Sequence, residues 1–428
     1  MKQLALALLL LLLAMAATAV RAQEAIRVLD ARAENRFPEG VLFTLTAQGA
    51  APIQRVTLNY NLGGRANTFA APTFTPGTTV RAELQLKVDG RLYIAPGTVI
   101  TYYWQLEDEA GRRLNTEATT ITYDDTRFSW QRLSQGKLTL SWYGGSRAGA
   151  ERLLQAGADA IDRIAALTGA DMAGTAAKVW AYASSQDMQP VLVRRSEAFE
   201  RNVVTAGERV SDDTVVILTS GGAEDTLRHE LAHVVTHVAG EGAFGGLPPW
   251  LDEGTAVYAQ SSPGGYAADL NDAIRRDRLL PISSLTSTAG TPGVVNLWYG
   301  QSWSLVKHLV DTYGREKFAQ LFATFKKGST ADDALKRVYG FDLGGLEDGW
   351  RRSLGLQPRP PAPTQEPPAA IPTFAPVQGP QPQEPAVPAQ PSSEDGASLG
   401  LILALVAGFA ALAGVVVVWG LFLARRFR

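Results

Sequence analysis

The sequence predicts a multidomain chain: an N-terminal all-β sandwich, an α+β domain, a Pro-rich stalk and one C-terminal transmembrane helix. Three observations predict it. Short alternating apolar runs fill the first quarter, a helix-compatible half begins near Glu224, and the two longest apolar runs lie at the two ends. At 428 residues the chain is also too long for a single compact domain.

The elements follow in order. Residues 1–22 read as an export signal. Lys2 precedes an apolar run from Leu4 to Ala17, and Val20-Arg21-Ala22 forms a small-residue cleavage site before Gln23. A retained anchor is the alternative. Across 23–125, runs at Val41 to Leu45, Val56 to Tyr60, Val80 to Val88, Val99 to Leu106 and Thr119 to Thr122 are bounded by Gly, Pro, Asn or Asp. That spacing predicts an antiparallel sandwich. The stretch from Pro96-Gly97-Thr98 through Tyr102, Tyr103 and Trp104 to the turn Asp108 to Gly111 resembles the last hairpin of an immunoglobulin- or fibronectin-like domain. This resemblance implies a fold and no function.

Residues 128–356 form the second predicted domain. A strand at Lys137 to Trp142 precedes a helix with apolar residues at Ala150, Leu153, Leu154, Ile161, Ile164 and Leu167, a period near 3.6. Strands are expected at Lys178 to Ala183 and Thr214 to Leu218, and helices from Glu224 onward. Residues 357–397 hold 13 of the 24 prolines between Pro358 and Pro391 and predict an extended stalk. Within 398–424, Leu399 to Ala424 is 26 residues without a charge, long enough to span ~30 Å of hydrocarbon. Arg425, Arg426 and Arg428 in the tail 425–428 place that end in the cytoplasm. The expected topology is a single-pass protein of the cell membrane with its domains outside; a sorting tag that is later removed is the alternative.

Composition narrows the chemistry. A net charge of −2 and the lack of a basic groove interleaved with aromatics exclude a nucleic-acid partner. The chain has no cysteine, so a transition metal must be held by His and carboxylates. Of the four histidines, three fall within nine residues.

Those nine residues carry the chemistry. Thr226 to Val235 contains His229-Glu230-Leu231-Ala232-His233 in a helix-compatible run. Residues four apart share a helix face, so both imidazoles can converge on one metal. Glu230, beside the first of them, can reach a water there as a general base. Zinc suits the ligand types and keeps an open position in catalytic sites. The alternative is a solvated face with an incidental pair of histidines.

Nineteen residues intervene between His233 and Glu253, which stands in Trp250-Leu251-Asp252-Glu253-Gly254-Thr255-Ala256. Together the two segments resemble the gluzincin branch of zinc peptidases, and Phe128 to Leu356 resembles the peptidase-MA-like family of exported proteins. The resemblance implies His229, His233 and Glu253 as Zn2+ ligands and Glu230 as catalytic base. It also implies Tyr299, in Leu297-Trp298-Tyr299-Gly300-Gln301, as the oxyanion donor at the start of a further helix. Aromatic packing against Trp298 and Trp303 is the other reading of Tyr299. His237 competes as a ligand but lacks the Gly-x-x-His spacing of metzincins, and His308, among Leu305, Val306, Leu309 and Val310, reads as a packing residue.

The resemblance implies a zinc metallopeptidase acting on a peptide or protein substrate. No Gly-x-Met-Glu-Asn segment is present, which favours endopeptidase over aminopeptidase action. The loop Gly240 to Pro249 is expected to flank the site. The rival readings are a catalytically inactive peptidase-like binding module displayed on a stalk, and a structural envelope protein.

Overall fold

The computed structural model describes residues 26–89, 91–193, 206–242, 246–287 and 292–360. The predicted signal, nearly all of the stalk, the apolar segment 398–424 and the tail 425–428 lie outside these residues. Among the described residues no helix is long and apolar enough to cross a membrane.

The N-terminal region is a seven-stranded antiparallel sheet: β1 (Ile26–Arg36), β2 (Gly40–Leu62), β3 (Thr68–Ala70), β4 (Gly77–Lys87), β5 (Thr98–Asp108), β6 (Arg113–Asn115) and β7 (Thr119–Tyr123). The expected strands at Val41 to Leu45 and Val56 to Tyr60 are two halves of the single strand β2. Pro52 sits where the pairing with β4 shifts between Gln48 and Ile53, an irregularity that tolerates a missing donor. The first half of β2 pairs with β1 and β4, the second with β3 and β5. Phe43 of the first half meets Tyr102 of β5 with ring centroids 4.8 Å apart, so both halves close over one core that includes Val41, Leu58 and Trp104.

The second sheet has the order β11-β12-β10-β9-β8, with β8 (Gln131–Gln135), β9 (Leu138–Trp142), β10 (Ala177–Tyr182), β11 (Gly207–Arg209) and β12 (Thr214–Leu218). Its three inner strands are parallel, and β8 and β11 are antiparallel edges. All five residues of β12 are buried because the sheet is covered on both faces. Val215 and Ile217 pack under helix α1 (Arg147–Thr168) and the first helix of the helical half. Val216 and Leu218 join Trp180 and Tyr182 on the opposite face, where Phe37, Tyr93 and Ala95 of the N-terminal β-rich region also pack.

A polar knot ties that face together. Asp125 accepts from Arg127 at 3.0 and 2.7 Å and from the Tyr182 hydroxyl at 3.0 Å, and its carbonyl accepts from the Trp130 indole at 2.8 Å. Tyr93 donates to the Val191 carbonyl at 2.6 Å. The helical half then comprises α2 (Ala223–Gly240), α3 (Pro249–Ala259), α4 (Gly265–Arg275), α5 (Val295–Tyr313), α6 (Arg315–Lys326), α7 (Ala331–Tyr339) and α8 (Leu343–Ser353). It closes around Trp250, Leu305, Leu309, Phe318, Phe322 and Trp350.

Candidate metal centre

The site is built on α2, α3 and α5. α2 begins with Glu224 and Asp225 in its first turn, where negative charge suits the helix dipole. Leu227, Leu231 and Val234 seat it under the second sheet. His229 and His233 project on the side facing α3. α3 starts at Pro249, a residue whose fixed φ and missing N–H cost nothing at the first helical position. The buried Trp250 and Leu251 anchor the helix, and Asp252 and Glu253 turn toward α2.

Three ligand atoms form a near-regular triangle. His229 Nε2 and His233 Nε2 are 3.3 Å apart, and Glu253 Oε2 lies 3.3 and 3.5 Å from them. The edge of a tetrahedron is about 1.6 times the centre-to-corner distance, so zinc bonds of ~2.0–2.1 Å require edges of about 3.3–3.4 Å. Among the described residues these three alone form a group of His and carboxylate side chains able to hold a metal ion. Glu253 Oε2 is buried and has no hydrogen-bond partner, although two ring nitrogens stand within reach of it. A buried acceptor in that condition is costly unless a cation satisfies it. The residues fit zinc.

The surroundings prepare both rings. His233 Nδ1 lies 3.0 Å from Asp252 Oδ2, which holds the proton on Nδ1 and leaves Nε2 with its lone pair. Thr236 donates to the other oxygen of Asp252. His229 Nδ1 lies 3.3 Å from the Gln260 side-chain amide, and a half-turn of that amide puts its oxygen on the ring proton. Burial opposes charge on His233, but the carboxylates of Asp252 and Glu253 outweigh it and hold its pKa well above the usual imidazole range, so without a cation Nε2 also carries a proton, which a metal ion would displace to use the lone pair. For Glu253, burial works in the opposite direction, and His233 and His229 still bring its pKa well below the usual carboxylate range. Asp252 is likewise lowered, with burial overcome by His233 and Thr236. The carboxylates of this pocket are therefore ready for a cation.

Glu230 follows His229 on α2, and its carboxylate lies against the edge strand β11. A Cβ added to Gly207 would stand 2.9 Å from Glu230 Cγ and 2.5 Å from Thr226 Cγ2, so only glycine fits between strand and helix here. Strand β11, three residues of mixed character, carries no periodic signal in the sequence, and neither does its contact with Glu230. Nor does any sequence pattern mark Asp252 and Gln260 as partners of the rings; the adjacency of Asp252 to Glu253 is the one hint.

Tyr299 sits in the first turns of α5, its ring centroid 6.2 Å from that of His229. It is flanked by Trp298 and by Tyr266 of α4. His237 is turned elsewhere: Nδ1 meets Glu241, and Nε2 lies 3.8 Å from Asp212. His308 packs edge-on against Tyr313 at 5.9 Å, and burial lowers its pKa.

Residues 156–355 match the sequence model of the Peptidase MA superfamily, a stretch that contains the whole cluster. No match is found among curated proteins. Among solved structures, yeast LTA4 hydrolase in complex with bestatin is similar at 11% identity and a TM-score of 0.36, over 80% of this chain and 69% of that one. Native yeast LTA4 hydrolase gives 12% identity and 0.38, over 76% and 66%. A β-1,3-glucan binding domain of carbohydrate-binding module family 56 matches 22% of this chain and 96% of its own, at 13% identity and a TM-score of 0.15.

Proposed function

We propose that this chain is a membrane-anchored, extracytoplasmic zinc metallopeptidase that hydrolyses peptide bonds with Glu230 as general base. The observation that carries the reading is the triangle of His229, His233 and Glu253, with edges of 3.3 to 3.5 Å and one buried oxygen lacking a partner. The match of residues 156–355 to a peptidase superfamily supports it.

Bound to these three residues, zinc would supply Lewis acidity and a nucleophilic water near neutral pH. The rest is the work of the chain. Asp252 and Gln260 keep the two rings in the tautomer that offers Nε2. Glu230 takes a proton from the attacking water and returns it to the departing amine, so the C–N bond breaks with a neutral leaving group. The Tyr299 phenol donates to the oxygen that gains charge as the carbonyl carbon becomes tetrahedral. β11, with Gly207 against Glu230, borders the base on the side of the sheet.

Three parts of the proposal rest on sequence. The anchor rests on the uncharged run Leu399 to Ala424 and the arginines after it, and placement outside the cytoplasm on the signal-like residues 1–22. A preference for internal bonds in peptide or protein substrates rests on the missing Gly-x-Met-Glu-Asn segment. The deciding experiment measures zinc in the purified full chain and digests a peptide library with wild type and Glu230→Gln. Stoichiometric zinc and cleavage by the wild type alone are expected. Zinc without any cleavage would leave an inactive binding module; no zinc would remove the metal reading altogether.

A further inference from the structure

We infer that Tyr266 is a positioning residue that holds the phenol of Tyr299 toward the metal cluster by stacking on its ring. The inference rests on the peptidase reading above and adds a residue to it. The two rings are nearly parallel, 22° apart, with centroids separated by 5.2 Å. Trp298 abuts Tyr299 edge-on at 5.3 Å and 78°, so the ring is gripped on two sides. Contacts on two sides of a ring restrict the rotamers open to it.

Tyr266 is itself well placed to act as a fixed wall. It lies in the first turn of α4, directly after the turn that leaves α3. Within that turn Gln260 reaches His229, and Ser261 donates from both its backbone and its hydroxyl to Asp225 of α2, at 2.8 and 2.6 Å. Helices α4 and α5 meet at the same spot. A Cβ on Gly300, the residue after Tyr299, would come within 2.6 Å of the Tyr266 carbonyl oxygen. One short connection therefore ties a metal-ligand ring, the start of α2 and the wall of Tyr299 together. Burial, then the charges of Glu253 and Glu230, push the Tyr266 phenol up from its ordinary pKa, so it stays neutral beside the two carboxylates.

The stack gives Tyr266 a signature different from that of a donor. Its ring matters and its hydroxyl does not. Tyr266→Phe keeps the stack and should hold kcat within about threefold of wild type. Tyr266→Ala should lower kcat with KM nearly unchanged, by up to the ~10²–10³ that a missing oxyanion donor costs. Combined with Tyr299→Phe, it should lower kcat no further than Tyr299→Phe alone, because both remove one contribution. Tyr266→Leu keeps buried volume if the Ala variant fails to fold. Dye-quenched casein serves as substrate for the zinc-loaded full chain.

A second readout needs no activity. 3-Fluorotyrosine placed at position 299 should give a single 19F resonance in wild type and Tyr266→Phe, and a shifted or exchange-broadened one in Tyr266→Ala or Tyr266→Leu. An unchanged resonance in the latter two overturns the inference, as do losses that multiply in the double variant. If the wild type cleaves nothing, the peptidase reading fails while the 19F spectra still decide whether Tyr266 places Tyr299.

Discussion

His233 presents its Nε2 lone pair only while Nδ1 keeps its proton, and Asp252 holds that proton from 3.0 Å. Asp252→Asn should therefore weaken zinc binding by about 10–100-fold, as read by competition with a chelator. The fold should survive, because the amide can still accept from Nδ1. Direct ligand loss is more severe: His233→Ala and Glu253→Ala should each leave the protein nearly free of zinc in elemental analysis. Glu230→Gln belongs to a different class. It leaves all three ligands in place, so zinc should stay while peptide hydrolysis falls by several orders of magnitude. Activity within tenfold of wild type would mean that another group activates the water.

At the scale of elements, the contact between β11 and α2 determines where the base can stand. Gly207→Ala inserts a methyl group into space already taken by Thr226 and Glu230. Overpacking of this kind costs roughly 1–3 kcal/mol, and a displacement of about 1 Å at a reacting group can cost ~10² in rate. The expected result is a kcat reduced on that order with zinc content unchanged; a normal kcat would show that the strand yields instead of the carboxylate. The cluster itself is also a product of elements. His229 and His233 share α2, but Glu253 arrives on α3, whose position is set by Trp250 and Leu251 in the helical core.

At the scale of the molecule, the N-terminal β-rich region and the second sheet meet through aromatic rings and the buried carboxylate of Asp125, which Arg127 and Tyr182 satisfy. Asp125 has no exposed side-chain surface and spends its hydrogen bonds on Arg127, Tyr182 and the backbone of Arg127. Arg127 also donates to the Asp187 carbonyl at 2.7 Å. Arg127→Met strands the Asp125 charge, which typically costs about 3–5 kcal/mol; the partial exposure of Arg127 favours the lower end. Equilibrium unfolding in urea should report that loss. Because the interface is buried and apolar, both regions should unfold in one transition in the wild type. Two resolved transitions would show that the N-terminal β-rich region is only loosely tethered.

Much of this protein is written in local pattern, which survives without knowledge of the fold. The strands Val80 to Val88 and Thr214 to Leu218 and the helix around Leu153 to Leu167 all follow from periodicity and turn residues. The pair His229 and His233 is legible because four residues bring a helix back to the same face. Other features depend on distances between segments far apart in sequence. Pro52 lies between the two expected runs, and only the pairing with β4 and β5 joins them into one strand. Adjacent residues on a helix point about 100° apart, so the letters Asp252-Glu253 alone leave open which carboxylate meets a metal and which meets a ring nitrogen. Packing of α3 against α2 decides it. The same holds for Gly207 under the base and for Tyr266 against Tyr299: each is a contact between elements, and no period along the chain records it.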